Sequence, residues 1–339
     1  MPPARQFHHR RIAIAATRGG GVVQPATGRW KATACHFPSL PLTLSSRRRT
    51  AHAAPSTATV SREGSMRVLR ETMKGDDVLA LQQRLKARGF PPGEIDAEFG
   101  PATEAAVIAF QRGNGLLADG VVGERTALAL GFDGDDVPAP EGMPPVTVAI
   151  AARMFPAMPL VNIKRNLPPV LEHLKGRRLT STPIVLCALA TIRAETEGFV
   201  PINEGLSRFN TSPGGHPFDL YDNRTDLGNR GAPDGERFKG RGFVQLTGRD
   251  NYQRFGQIIG LGDGLIADPD KANDTEIAAE LLAAFIGSKE TAIKQALLAD
   301  DLAAARRLVN GGDHGLDRFT DAYRIGERLV APAPLAPAA

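Results

Sequence analysis

The hydrophobic pattern becomes regular only after the first 65 residues of the chain, and it then predicts three short helices. The first begins near Asp76 and repeats apolar residues on one face. A second follows Pro101, with the acid Glu104 in its first turn, and a third covers residues 126–130. Three short helices predict a small bundle with a modest core.

A longer, mainly helical region covers residues 149–330. Its clearest element is a helix from Pro183 to Phe199, whose first part, residues 184–190, is apolar on every side. That pattern is typical of a buried helix. Polar residues gather at its end, around Glu195. Burial and the negative end of the helix dipole both favour the protonated carboxyl group, which a general acid requires.

A short strand is predicted after the turn Gly240-Arg241-Gly242. In a strand, Val244 and Leu246 would point to an apolar face, and Gln245 and Thr247 to the opposite face. An amide and a hydroxyl on one face can hold a sugar or orient a water molecule. The predicted fold class is therefore mainly α, with little β structure.

Composition and pattern together divide the chain into five segments. Met66 is a candidate translation start, and intact-mass measurement of the native protein tests that hypothesis. The segments are a disordered or wrongly annotated extension at 1–65, the bundle at 66–131, a Pro/Gly/Asp-rich linker at 132–148, the helical domain at 149–330 and a flexible tail at 331–339.

The charge is unevenly distributed. Residues 1–65 contain ten Lys and Arg against one acid, so the net charge of +4 for the whole chain leaves −5 for residues 66–339. Nucleic-acid binding by the folded part is therefore not expected. No apolar run is long enough to insert into a membrane. Arg10-Arg11 precedes a short apolar stretch that is a poor export signal, so the localisation stays open.

Two cysteines, Cys35 and Cys187, are too few for a disulfide framework. Cys187 lies within the apolar helix and is expected to be a buried small hydrophobe rather than a nucleophile.

Residues 66–131 resemble the type 1 peptidoglycan-binding domain. Ala97 departs from the pattern, since the family usually has glycine there. The resemblance implies a three-helix bundle that binds cell-wall glycopeptide and has no catalytic group. It is carried by Val78, Leu81-Gln82, Leu85, Gly89, Ile95-Asp96, Phe99-Gly100, Thr103, Ala106-Val107, Phe110-Gln111, Gly115-Leu116, Asp119-Gly120, Val122-Gly123 and Thr126.

Residues 180–330 resemble glycoside hydrolase family 19, the chitinases and endolysins, through four motifs in the right order. The resemblance implies a lysozyme-like fold and an inverting two-carboxylate mechanism. Glu195-Thr196-Glu197-Gly198-Phe199 is similar to the family's His-Glu-Ser-Gly-Gly-Phe segment, so Glu195 matches the proton donor. Ala194 replaces the usual histidine, and Glu197 is a rival carboxylate.

A second carboxylate must activate water from the opposite side of the sugar, with the two carboxyl groups roughly 6.5–9.5 Å apart. Glu204, in the loop after the helix, is the expected base because endolysin-type members have their second acid at a similar spacing. Asp219 is the weaker alternative, matching the more distant position of plant-type members. A solvated loop acid is the competing interpretation of Glu204.

The Phe238–Tyr252 motif supplies further implied roles. Thr247 matches the residue that holds the attacking water, and Gln245 and Asn251 match sugar-binding positions. Arg241 matches a family arginine, most simply interpreted as an ion-pair partner of acidic loops.

The Asn-Gly-Gly motif near the C-terminus gives two more candidates. Asn310 matches a position suited to an acetamido group, although Asn-Gly is also a plain turn signal. Arg318 matches an arginine that could steady the base, and a surface ion pair is its alternative.

The sequence thus predicts a hydrolase of β-1,4 bonds between N-acetylated amino sugars, acting on peptidoglycan or, alternatively, on chitin. We expect a monomer that needs no metal or cofactor. A zinc peptidase is disfavoured because residues 149–330 contain only three histidines and no His-Glu-x-x-His motif. A non-catalytic wall-binding protein is the remaining alternative.

Overall fold

The computed structural model describes residues 67–132, 139–196 and 198–330. The hypotheses about Met66, Cys35, Glu197 and the tail lie outside the described residues. The described part is mainly α, as predicted. Its α-helices are α1 Asp76–Ala87, α2 Pro101–Gly113, α3 Glu124–Ala129, α4 Val148–Met154, α5 Leu160–Gly176, α6 Thr182–Glu195, α7 Asp219–Asp222, α8 Asp234–Arg237, α9 Arg249–Ile258, α10 Gly264–Ala267, α11 Thr275–Gly287, α12 Glu290–Leu298, α13 Leu302–Asn310 and α14 Leu316–Val330.

Two short 3-10 helices and one small sheet complete the secondary structure of the described residues. The 3-10 helices are Thr225–Leu227 and Pro269–Asn273. Strands β1, Ile202–Asn203, and β2, Arg241–Gly242, pair antiparallel. None of the described helices is both long and apolar enough to cross a bilayer.

Helices α1 to α3 surround a small hydrophobic core of their own. The first two begin where the sequence predicts, and α3 begins at Glu124, two residues before the predicted start. Phe99, Val107 and Phe110 are almost completely buried in this core.

Two buried glutamines give this bundle an internal repeat. The side-chain amide of Gln82 donates to Asp96 Oδ1 and Thr103 Oγ1, and its oxygen accepts from the Ala97 N–H. Gln111 makes the equivalent bonds in the second copy, to Asp119, Thr126 and Gly120. In each copy, the buried glutamine therefore fixes the turn that begins at the aspartate, Asp96 or Asp119. It also provides a partner for a backbone N–H that would otherwise lack one.

Ala97 occupies the position where the resemblance favours glycine. Its φ is +63°, close to the +74° of Gly120 in the second copy. An L residue in this left-handed region costs roughly 1–2 kcal/mol. The departure is therefore tolerated with strain and leaves the turn intact.

The larger hydrophobic core consists of residues in the range 139–330 together with Leu128 of α3, and it is built around α6. Helix α14 packs along α6, and α11 packs against α5. Residues 184–190 of α6 are all buried, as their continuous apolar run predicts.

The predicted end of this helix at Phe199 is wrong, because α6 ends at Glu195. Thr196 is extended, and Phe199 has a φ of +52°. The side-chain amides of Asn162 and Asn166, both in α5, donate to the carbonyls of Gly198 and Phe199. These contacts hold the chain in a turn, so Glu195 is the last helical residue.

The strand predicted over residues 243–247 is also wrong. Leu246 forms both backbone hydrogen bonds with Arg241, so residues 242–245 make a tight turn. Gln245 has a φ of +52°, which a strand does not allow. Val244 and Leu246 nevertheless enter the core.

Candidate functional site

Glu204 is positioned by the small sheet. Ile202 pairs with Gly242 and Asn203 with Arg241, and the next residue, Glu204, is bonded to Gly240 through both its backbone N–H and its side-chain carboxylate. The Glu204 N–H donates to the Gly240 carbonyl at 2.7 Å. This register brings a loop carboxylate to the start of the Gly-Arg-Gly turn.

Three neutral donors hold the carboxylate of Glu204. Oε1 accepts from Asn210 Nδ2 at 3.1 Å and from the Tyr221 hydroxyl at 2.9 Å. Oε2 accepts from the Gly240 N–H at 3.1 Å. The Glu204 residue is only 6% exposed. All three bonds use the carboxyl oxygens as acceptors, so they fix the orientation of the side chain.

Gly240 lies at the point where three side-chain oxygens meet. A β carbon built on it would lie 2.9 Å from Gln245 Oε1, 3.1 Å from Glu204 Oε2 and 3.2 Å from Thr247 Oγ1. Glycine is therefore required by the close approach of these groups. The predicted base, the predicted water-holding hydroxyl and one predicted sugar-binding amide are brought together here.

A chain of hydrogen bonds fixes the side chains around this point. Gln245 Nε2 donates to the carbonyls of Ile202 and Gly242, and Thr247 Oγ1 donates to the Gln245 carbonyl at 2.9 Å. Asn251 Nδ2 donates to the Thr247 carbonyl at 2.7 Å. The proton of the Thr247 hydroxyl is thus committed to the protein, which directs its oxygen to act as an acceptor.

Glu195 has a different kind of partner. Its Oε1 accepts from Arg306 Nη2 at 2.7 Å, and the side chains of the pair are 4% and 0% exposed. The partner of Glu195 is therefore a cation, and it was not among the residues considered in the sequence. Arg306 and Glu195 are the buried ion pair of this site.

Arg306 is fixed by backbone as well as by Glu195. Its Nε and Nη2 donate to the His314 carbonyl at 2.9 and 2.7 Å. The amide of Asn310, with its nitrogen facing Glu195, donates to Oε1 at 3.2 Å and accepts from Arg306 Nη2 at 3.2 Å. Arg306 and Asn310 share one face of α13 because they are four residues apart.

The turn after α13 comes very close to the end of α6. A β carbon on Gly315 would lie 3.1 Å from the Ala194 carbonyl oxygen, and Gly315 has a φ of +69°. This approach sets the position of the His314 carbonyl relative to Glu195. The Arg318 guanidinium is adjacent, 3.4 Å from the same β-carbon position.

Arg241 is engaged within the protein. Its Nε donates to Asp270 at 2.8 Å, and its Nη1 donates to the Arg237 carbonyl and to the Tyr252 hydroxyl. This is the ion-pair role expected from the sequence. Tyr252 is fully buried, and burial raises the pKa of its hydroxyl.

Asp219, the alternative base, is committed elsewhere. It accepts hydrogen bonds from the backbone N–H and hydroxyl of Ser212. The Ser212 hydroxyl holds the pKa of Asp219 below its usual value. These contacts lie within residues 212–219 and not beside Gly240, so the geometry favours Glu204 over Asp219 as the candidate base.

Three residues of the site were not assigned from the sequence: Arg306, Asn210 and Tyr221. A signal existed for Arg306, since it lies beside Leu302, Ala305 and Val309 on the apolar face of α13. A charged residue on such a face needs a buried partner.

No group of three or more His, Cys, Asp or Glu side chains in the described ranges is arranged to hold a metal ion. Burial raises the pKa of Cys187 to about 12. A thiol with such a high pKa is a poor nucleophile at neutral pH, in agreement with the sequence analysis.

Residues 74–130 match the family described as "Putative peptidoglycan binding domain". The chain is 29% identical over 105 residues to a glycosyl hydrolase family 19 domain-containing protein of Haemophilus influenzae, covering 31% of this chain and 48% of that protein. It is 47% identical over 58 residues to the N-acetylmuramoyl-L-alanine amidase CwlM of Mycobacterium tuberculosis, covering 17% and 14%. Both resemblances stated from the sequence are thereby confirmed.

The chain spans less than half the length of these curated relatives. Among solved structures it is similar to chitinase C from Streptomyces griseus HUT6037, with 18% identity and a TM-score of 0.40, over 56% of this chain and 77% of that one.

Proposed function

We propose that this protein is a cell-wall glycan hydrolase that cleaves β-1,4 bonds between N-acetylated amino sugars, with peptidoglycan as its substrate. The observation that carries the proposal is the pair of buried carboxylates, Glu195 and Glu204, each held by its own set of donors. Two carboxyl groups in distinct environments are what acid–base hydrolysis of a glycosidic bond requires.

Glu195 is the proposed general acid. It gives its proton to the glycosidic oxygen as the bond to the leaving sugar breaks. The carboxylate that remains is stabilised by Arg306 and by the Asn310 amide, which are already in place. Preorganised partners of this kind favour the transition state because they need not reorganise during the reaction.

Glu204 is the proposed general base. Its Oε2 accepts only the Gly240 N–H among the described residues, which leaves capacity for one proton of a water molecule. The Thr247 oxygen accepts a hydrogen bond from the other O–H of that water, since its own hydroxyl donates to the Gln245 carbonyl. Attack from the face opposite the leaving group inverts the configuration of the sugar.

The remaining candidates are proposed to bind the sugars. Gln245 and Asn251 are both hydrogen-bonded to Thr247, the residue proposed to hold the water, and Asn310 is hydrogen-bonded to Glu195. Arg318 lies next to the turn that carries the His314 carbonyl, and Arg241 supports the turn that carries Gln245. Arg241 is proposed to act on the substrate indirectly, by holding the backbone of that turn in place.

Peptidoglycan is favoured over chitin by the domain at residues 74–130. Such a domain raises the local concentration of the enzyme on its substrate. Chitin contains the same N-acetylglucosamine unit and remains the alternative substrate.

The test is the digestion of purified peptidoglycan sacculi and of colloidal chitin, with mass spectrometry of the released fragments. We expect disaccharide-containing muropeptides from sacculi and far slower release from chitin. Release of chitooligosaccharides alone would identify chitin, rather than peptidoglycan, as the substrate. Release of no fragments from either polymer would favour a non-catalytic wall-binding protein. NMR of the first product is expected to show the α-anomer from a β-linked substrate.

A further inference from the structure

A cleft of about 460 Å³ lies where the three-helix bundle meets the larger domain. We refer to it as the boundary cleft. One side comes from the second half of the bundle, and the other from the segment joining α4 to α5. The lining residues are Gly115, Leu116, Leu117, Asp119, Val121, Gly123, Glu124, Arg125, Thr126, Ala152, Pro156, Met158, Pro159 and Leu160.

The two sides of the boundary cleft are tied together. The Arg125 guanidinium donates to the carbonyl of Ala152 in α4 and to those of Phe155 and Met158 in the segment after it. Leu128 of α3 packs into the larger core. These contacts make the cleft a part of the fold, so a ligand would meet a preformed surface.

The chemistry of the cleft is aliphatic. Leucine, proline, valine and methionine side chains form most of it, and none of its lining residues is aromatic. Leu117 is 79% exposed at this surface. Sugar rings are commonly bound by stacking on aromatic rings, whereas the apolar side chains of this surface are all aliphatic and suit small alkyl side chains.

A carboxylate accompanies the aliphatic surface. Asp119 is exposed, and its Oδ1 accepts from Gln111 and from the Val121 N–H. Its Oδ2 has no hydrogen-bond partner among the described residues, so it can accept from a cationic amine. Glu124, by contrast, is paired with Lys164 at 3.3 Å.

We propose that the boundary cleft binds the stem peptide of peptidoglycan rather than its glycan. A stem peptide is rich in alanine and carries a diamino acid, which matches aliphatic contacts beside one available carboxylate. The inference rests on the proposed function, in which peptidoglycan is the substrate. It specifies that the cleft recognises the peptide part of that polymer. It also predicts that chitin, which has no peptide, is not retained by the cleft.

The test uses the full chain carrying Glu195→Gln, so that binding is measured without hydrolysis. Pull-down compares intact sacculi, sacculi stripped of stem peptides by an amidase, and chitin. We expect binding to fall at least tenfold when the peptides are removed, and to be equally weak on chitin. Equal retention on intact and stripped sacculi overturns the inference, whether or not the wild-type protein is a hydrolase.

A pair of variants locates the binding surface. Leu117→Asp places a charge in the cleft, and Leu298→Asp is the matched control, because Leu298 is 84% exposed and lies outside the cleft. We expect Leu117→Asp to raise the Kd for intact sacculi about tenfold and Leu298→Asp to leave it unchanged. Equal Kd values for the two variants contradict the assignment. Asp119→Asn, which keeps the Oδ1 contacts, is expected to weaken binding severalfold, and acetylation of the sacculus amines to remove that difference.

Discussion

The two buried carboxylates of the site are held in opposite ways. Glu195 is paired with a fully buried guanidinium, whereas Glu204 accepts from an amide, a phenol and a backbone N–H, all neutral. A neighbouring cation stabilises negative charge as it develops, while neutral donors mainly fix orientation. The difference is what the proposed roles require: Glu195 would become a carboxylate as it gives up its proton, and Glu204 would act as a positioned carboxylate that takes one.

The largest expected effect comes from removing either carboxylate. We expect Glu195→Gln and Glu204→Gln each to lower the rate of fragment release by about 10²–10⁴-fold, the range for general acid–base groups. Wall binding should be retained, since neither residue lies in the bundle. Glu236→Gln, an exposed acid on α8, is the control. A variant that keeps more than a tenth of the wild-type rate removes that residue from the proposed mechanism.

Loss of the cation should affect the Glu195 side selectively. We expect Arg306→Met to lower kcat by about 10–100-fold, because the carboxylate formed by proton transfer loses its partner. The value of kcat/KM should fall by about the same factor as kcat, since the proposed interaction acts on charge that develops during the reaction.

Arg306→Met is also expected to reduce the free energy of unfolding by about 3–5 kcal/mol, as for other broken buried pairs. Arg306→Lys retains the charge and should recover part of the rate. Thermal unfolding and steady-state kinetics measure both effects. An unchanged kcat in a folded Arg306→Met protein would falsify the role of Arg306.

Crowding the Glu204 side should have a smaller effect. A methyl group on Gly240 must displace Gln245 Oε1, Glu204 Oε2 or Thr247 Oγ1. We expect Gly240→Ala to lower kcat about tenfold or more, since misplaced catalytic groups reduce rates steeply. Gly205→Ala is the matched control, because a β carbon there meets nothing within 4 Å. Equal rates for the two variants would show that this convergence is not used in the reaction.

The smallest effect is expected from one neutral donor. Tyr221→Phe removes one of the two hydrogen bonds to Glu204 Oε1, worth about 0.5–1.5 kcal/mol, or roughly two- to tenfold in rate. Tyr323→Phe, a buried tyrosine of α14, is the control. Steady-state kinetics on soluble oligosaccharides measure both. A loss as large as that of Glu204→Gln contradicts the view that the donors of Glu204 are individually weak.

Local pattern predicted those parts of the site that depend on a single segment. The continuous apolar run of α6 indicated a buried helix carrying Glu195, and the alternation after Gly242 placed Gln245 and Thr247 apart from Val244. Val244 and Leu246 do enter the core without Gln245 and Thr247, as the alternation predicted, although the predicted strand was wrong. The separation arises instead from a tight turn in which Gln245 has a positive φ. Periodicity does not distinguish the two structures over so few residues.

The sequence by itself determined the helical class and the three-helix bundle, and it supplied the candidate acid–base residues, because these follow from local periodicity, turn residues and motif order. Only the tertiary structure decided which partners those residues have. Arg306 reaches Glu195 from 111 positions away, and Gly240 reaches Glu204 from 36 positions away. The physical reason is that a local pattern defines which face of an element is buried, whereas the packing of several elements defines which polar groups meet on those faces.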